Sequence, residues 1–286
     1  MRKIYILLAV ITLASINVKA QEDLLDILNS EQTEEVNTTL AIFKGARLIS
    51  GHTIVTRKTG ELEFVISHRF GRINSGIDEF FGLDGANVRF SFEYGITDNL
   101  TAGIGRNSFE KVYDGFLKYS LLKQSTGKKN MPVSLTAFSS MAIRTLKDPD
   151  FIEDDFNSKV SYTHQVLIAR KFNDKFSFQL APTYVHRNKV LENQENDIIA
   201  LGIGGRMKLN TRVSLNAEYY YRLTEELDAS YKDSLGVGVE IETGGHVFHL
   251  NFTNSRSMVE RGFITETDGN FFKGDIHFGF NISRVF

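Results

Sequence analysis

Residues 213–222 read Val-Ser-Leu-Asn-Ala-Glu-Tyr-Tyr-Tyr-Arg. Val213, Leu215, Ala217, Tyr219 and Tyr221 fall on one side of an extended chain, and Ser214, Asn216, Glu218, Tyr220 and Arg222 on the other. A repeat of two is the signature of a β-strand, whose successive side chains point to opposite faces. The alternation continues both ways along the chain. Upstream, Leu62, Phe64 and Ile66 oppose Glu61, Glu63, Ser67 and Arg69, while Val88, Phe90, Phe92 and Tyr94 oppose Asn87, Arg89, Ser91 and Glu93. Downstream, Leu235, Val237, Val239 and Ile241 oppose Gly236, Gly238, Glu240 and Glu242, and Phe278, Phe280 and Ile282 oppose His277, Gly279, Asn281 and Ser283.

Such strands suit either a soluble sandwich or a membrane barrel, and length separates the two. Several runs reach about ten residues, close to what a tilted strand needs to cross a bilayer and longer than most globular strands. About twelve strands are expected, near 61–69, 86–95, 99–107, 110–122, 132–143, 159–171, 175–187, 197–208, 212–223, 233–242, 245–254 and 272–285. Tight turns at 97–99, 173–174, 210–211 and 244–245 alternate with longer polar loops near 70–85, 144–158, 188–196, 224–232 and 255–271. That alternation predicts an all-β fold, a transmembrane antiparallel up-and-down β-barrel with a short N-terminal helix. An even strand number puts both ends of the barrel on the periplasmic side. Two joints break the pattern: the one near 108–110 is short for an outer loop, and the one at 123–131 is long for a turn.

Composition narrows the function classes. The 286 residues include 33 bases, 35 acids, no Cys and only 3 Pro. The absence of Cys excludes disulfides, thiolate metal sites and an N-terminal lipid anchor. The charge balance lacks the basic footprint of a nucleic-acid partner. Arg2 and Lys3, the apolar stretch 4–16 and Val18-Lys19-Ala20 have the form of a signal peptide over residues 1–20. Cleavage after Ala20 would leave 30 bases against 35 acids, a charge of −5. Residues 21–45 read as a periplasmic N-terminal helix and linker, with Leu24, Leu25 and Leu28 at helical spacing, either a plain leader or a plug or docking peptide. Residues 46–286 are assigned to the barrel.

The polar parity carries Glu63, Arg69, Arg89, Glu93, Asp114, Lys118, Lys171, Arg206, Lys208, Glu218, Arg222, Glu240 and Glu242. An Arg or Lys on the lipid side near the bilayer midplane costs about 2–4 kcal/mol. These charges are therefore expected to line the lumen, either as a paired network or as a selective pore. His249 and His277 share that parity; a register placing 249 beside 276 would bring them together near Glu240, a weak metal candidate. Gly103/Gly105, Gly202/Gly204 and Gly236/Gly238 sit mid-strand and free space inside rather than forming phosphate loops. Ser139 and His164 fall on the lipid side of neighbouring strands, the one arrangement that suggests a lipid hydrolase, but nothing marks an oxyanion hole.

Two runs carry a resemblance. Residues 46–53, Ala-Arg-Leu-Ile-Ser-Gly-His-Thr, lead into 62–71, Leu-Glu-Phe-Val-Ile-Ser-His-Arg-Phe-Gly. Residues 80–90 and 94–106 form the second. Together they resemble an uncharacterised Bacteroidetes-type outer-membrane β-barrel family, a domain of unknown function. The resemblance implies a barrel in the outer membrane and supplies no site residues. The terminal strand, ending at Phe286, is similar to the insertion signal of bacterial outer-membrane barrels. The expected partners are thus outer-membrane lipid, the barrel-insertion machinery and a possible periplasmic protein, with no cofactor. The expected function is a narrow pore or transporter for a small hydrophilic solute. The alternative is a structural barrel recruiting a periplasmic protein through its N-terminal segment.

Overall fold

The computed structural model describes residues 35–146, 155–224 and 230–286. Twelve antiparallel strands close into one barrel. They are β1 (Leu62–Arg72), β2 (Asn87–Thr97), β3 (Leu100–Asn107), β4 (Val112–Leu122), β5 (Ser134–Arg144) and β6 (Val160–Lys171), then β7 (Phe176–Arg187), β8 (Asp197–Lys208), β9 (Val213–Arg222), β10 (Ser234–Thr243), β11 (His246–Thr253) and β12 (His277–Val285). Neighbours in sequence are neighbours in the wall, and β12 pairs with β1 to close it. At the seam the backbones of Leu62 and Phe286 bond each other reciprocally, at 3.1 and 2.8 Å. Closure leaves no strand edge unpaired, a requirement inside a hydrocarbon layer.

The two faces follow the sequence parity. Phe90, Phe92, Ile104, Leu117, Leu215 and Leu250 stay exposed on the outside. Tyr94, Tyr119, Phe176 and Tyr184 are exposed as well, and Tyr221 is half-buried; aromatics of this kind near strand ends suit interfacial girdles. Glu63, Arg69, Arg89, Glu93, Asp114 and Lys118 are buried on the inside. Among the described residues no helix is long and apolar enough to cross a membrane; the strands make the crossing.

The long joint between β4 and β5 has a purpose. Its residues Ser125–Gly127 pair with Val36–Thr38 in a separate two-stranded sheet at the turn end of the barrel. Residues 37–39, expected as linker, are thus partly a strand. The expected signal peptide and the helix expected around Leu24–Leu28 lie outside the described residues, as does most of the 147–155 stretch. The barrel wall begins at Leu62, at the first strand expected near 61–69, so residues 46–61 belong to the barrel domain without being part of its wall. These residues serve a different end.

Candidate functional site: a lumen filled from both ends

The wall encloses two segments that belong to neither strand nor outer loop. The first, residues 42–57, rises from the turn end and returns to it. Its arms meet in a bridge between Arg47 and His52. A tight turn at 48–51 forms the tip, with the Leu48 N–H donating to the Gly51 carbonyl at 2.9 Å. Ile42, Phe43, Ala46, Leu48, Ile49, His52 and Thr53 are all buried. Lacking a regular ladder, this hairpin leaves many backbone groups open, and buried backbone groups must find partners.

Wall side chains supply them. Glu218 accepts the backbone N–H groups of Ile49, Ser50 and Gly51 at 3.1, 2.7 and 3.1 Å. Gln179 accepts from Ile54 N–H and donates to the His52 carbonyl. Thr101 accepts from Arg57 N–H, and Lys118 donates to the Val55 carbonyl at 2.9 Å. Asn281 donates to the Ile49 carbonyl at 3.0 Å.

Of the lumen glycines, Gly204, Gly236 and Gly238 face this hairpin, while Gly103, Gly105 and Gly202 make room for wall side chains such as Phe116, Arg89 and Tyr220. A Cβ on Gly204 would stand 2.6 Å from a Leu48 methyl, and one on Gly236 2.9 Å from Ile49. The space those glycines free is occupied by the tip.

The second segment is the joint between β11 and β12, which turns inward from the loop end. Residues 257–265 are buried, including the one-and-a-half-turn helix α1 (Glu260–Thr265). Phe263 and Ile264 pack into a cluster with Val185, Ile198, Ala200 and Tyr220 of the wall. The two segments touch at one acid: Glu260 lies 2.7 Å from the Arg47 guanidinium and 3.4 Å from the His52 ring. Phe116 and Phe138 hold the other sides of that imidazole, with ring centroids at 4.5 and 4.4 Å.

The sequence-derived lumen charges take three fates. Some pair within the wall: Arg89 with Asp114 through two contacts, at 2.5 and 3.1 Å, and Arg206 with Glu240 at 2.9 Å. Others serve the hairpin. Glu218 and Lys118 bind its backbone, Glu63 meets Arg57 at 3.5 Å, Arg69 donates to Ser50, and Glu242 meets Lys44 at 2.7 Å. Glu93 lies 3.9 Å from Lys118. Lys171, Lys208 and Arg222 stand at strand ends and are only partly buried; Lys171 reaches Asp174 and Arg222 reaches Asp233.

His249 and His277 do not meet. His249 sits opposite Asn281 and 3.3 Å from Glu240, while His277 sits opposite Thr253 and bonds the Phe70 carbonyl. The β11–β12 joint runs longer than the register assumed, so the ladder is displaced. Among the described residues no group of three or more His, Asp or Glu is placed to hold a metal.

Ser139 and His164 are opposed across β5 and β6, with Oγ and Nδ1 3.0 Å apart on the outer face. The Tyr184 ring stacks on His164 at 6.3 Å, but no carboxylate among the described residues orients the imidazole. The pair has the distance of a nucleophile and base, and among the described residues no carboxylate completes it.

At the turn end, Asp98 accepts from both the backbone N–H and the hydroxyl of Thr59. Those bonds hold its carboxyl below the usual carboxylate range. They tie the outgoing arm of the hairpin to the β2–β3 turn.

A membrane bound beta barrel domain (DUF5777) matches residues 43–286. The chain belongs to that family. Its domain begins where the inner hairpin begins, so the family unit includes the filling as well as the wall, and its place is the outer membrane. No curated protein matches the chain. Among solved structures, the NanC porin aligns at 9% identity over 78% of this chain and 98% of its own, with a TM-score of 0.50. The COG4313 outer membrane channel from Pseudomonas putida F1 aligns at 12% identity over 81% and 97%, with a TM-score of 0.49. The Escherichia coli outer membrane phospholipase A, as an active-site mutant, aligns at 12% identity over 84% and 96%, with a TM-score of 0.45. At these identities the likeness concerns the fold.

Proposed function

We propose that this protein is a gated outer-membrane channel for a small hydrophilic solute, closed in this state by the two inner segments. The observation that carries the reading is how the hairpin is seated. Beside the apolar packing of Ile42, Phe43, Leu48 and Ile54 on the wall, its backbone is held by hydrogen bonds and its charges by ion pairs, which water can replace when the hairpin leaves. The wall it would expose is hydrophilic, with Glu63, Arg69, Glu93, Lys118 and Glu218 facing inward. A barrel of this strand number is wider than the eight-stranded type that side chains alone can fill.

The gate is testable because the chain contains no Cys. The Ile49 Cβ lies 3.4 Å from the position a Cβ would take on Gly236, close to the separation across a disulfide. The double variant Ile49→Cys, Gly236→Cys is expected to conduct in planar bilayers when reduced and to fall silent when oxidised. Equal conductance in both states would show that current bypasses the hairpin. A folded barrel that never conducts would shift the reading to a partner-binding barrel. The exposed strand Val36–Thr38, docked at the turn end, would then be the first surface to delete.

A further inference from the structure

We propose that the outer mouth binds a small carboxylated solute of about sugar size, and that Arg256 reads its anionic group. The inference deepens the channel reading by naming the solute class, but it stands on different residues. A recess of about 290 Å³ opens at the loop end, above α1. At about 30 Å³ per water it holds roughly ten waters, enough for one monosaccharide.

The acids that line this recess are already engaged. Glu110 meets Arg144 at 3.4 Å and Arg261 at 3.1 Å. Glu266 meets Arg187 at 3.4 Å and also pairs with Arg261. Asp268 meets Arg72 at 2.9 Å, and that guanidinium also lies 3.8 Å from Asp275. Among the described lining residues, Arg144, Lys189, Arg256 and Arg261 stand against Glu110, Glu266 and Asp268, so their net charge is positive. Arg256 is the base that these acids leave over. It stands over the Phe109 ring at 5.0 Å and makes no hydrogen bond or ion pair with the described residues.

Its backbone is fixed between buried Ser255 and Ser257 while its side chain is exposed. A guanidinium stacked on a ring keeps its planar fork of donors for a carboxylate, the geometry in which Arg binds anions two bonds at a time. Gln194 and Tyr231, bonded to each other at 3.3 Å, line the same recess with an amide and a hydroxyl, groups that suit a polyol. Arg256 also borders a second recess of about 540 Å³, where Glu79, Asp84 and Asp268 stand with Arg72, so the anion is placed on the first recess's side of the guanidinium. Arg256 and Arg261 both belong to the inward-turning segment, so a ligand held there grips the segment that fills the outer half of the lumen.

The test is calorimetric titration of the refolded full chain in detergent at low salt, with D-glucuronate, D-glucose and acetate as probes. Glucuronate is expected to bind, glucose to give no heat, and acetate to bind more weakly than glucuronate. Arg256→Gln is expected to weaken glucuronate binding about tenfold, the loss of one charge-assisted pair. Phe109→Leu keeps the charge but removes the stacking surface, and is expected to weaken binding severalfold. Heat-modifiable migration on gels confirms that both variants fold. Equal binding of glucose and glucuronate, unchanged affinity in Arg256→Gln, or no heat from glucuronate would each overturn the proposal. Binding without conductance would fell the channel reading and leave this site standing; conductance without binding would do the reverse.

Discussion

The two inner segments fill one lumen by opposite means. The hairpin 42–57 has little structure of its own. Its backbone is completed by the wall, through Glu218, Gln179, Thr101, Lys118 and Asn281. The outer segment completes itself. Within and just after α1, the Thr265 and Thr267 hydroxyls donate to the Arg261 and Phe263 carbonyls one turn back. It gives the wall apolar area, through Phe263 and Ile264, together with ion pairs from Arg261 to Glu110 and from Glu266 to Arg187. Polar contacts net little because water competes for the same groups, whereas buried apolar surface has no such substitute. On the proposed gated reading the outer segment is the fixture and the hairpin, whose backbone bonds water can replace, is the removable part.

The sharpest way to break that contrast is Phe263→Ala. Emptying a fully buried aromatic site costs about 3–5 kcal/mol, and the thermal midpoint followed by gel migration should drop accordingly. A midpoint equal to the parent's would mean the outer segment is not an anchor. The next effect belongs to the hairpin. Glu218→Gln removes the charged acceptor of three backbone N–H groups, a loss of about 1.5–3 kcal/mol of seating. It should raise open-channel time while leaving the wall's thermal midpoint near the parent value. A large fall in midpoint with no new current would erase the distinction between the segments.

Gly51→Ala tests fit rather than charge. Its Cβ would run into the Tyr220 hydroxyl, an overpacking worth about 1–3 kcal/mol. Adding Tyr220→Phe should recover part of the loss, and a strictly additive double variant would place the clash elsewhere.

The smallest effect concerns pH. Because Asp98 titrates below the usual carboxylate range, its bonds to Thr59 stabilise the folded state at every pH above that range. They are lost as pH falls through the lowered value. Exchange of the Thr59 amide should accelerate on acidification in the parent and stay flat in Asp98→Asn.

The wall was legible because lipid outside and polar groups inside impose a repeat of two that side chains such as Leu215 and Glu218 cannot hide. The strand bounds differed by a few residues, since strand ends are set by loop hydrogen bonds that the alternation does not encode. The hairpin was not legible from its own residues. Residues 46–53 have no period, and the hairpin's partners are scattered around the wall from Arg69 to Asn281. The signal that pointed to it lay elsewhere, in the lumen glycines Gly204, Gly236 and Gly238, which read as freed space without saying what fills it. The His249 and His277 pairing failed for a related reason: a joint that folds inward consumes residues that a solvent loop of the same length does not.

The turn at residues 58–61 has a further consequence. It joins the hairpin to β1 through Gly60, whose φ is 83°, and the Val36–Thr38 strand holds the other arm at the same end of the barrel. A withdrawn hairpin thus remains leashed beside its own seat. Short leashes give effective concentrations on the order of millimolar. A seat with an intrinsic affinity of only about micromolar would then be occupied roughly a thousandfold more often than empty, a bias of about 4 kcal/mol. On the gated reading, the barrel can therefore stay shut with weak contacts.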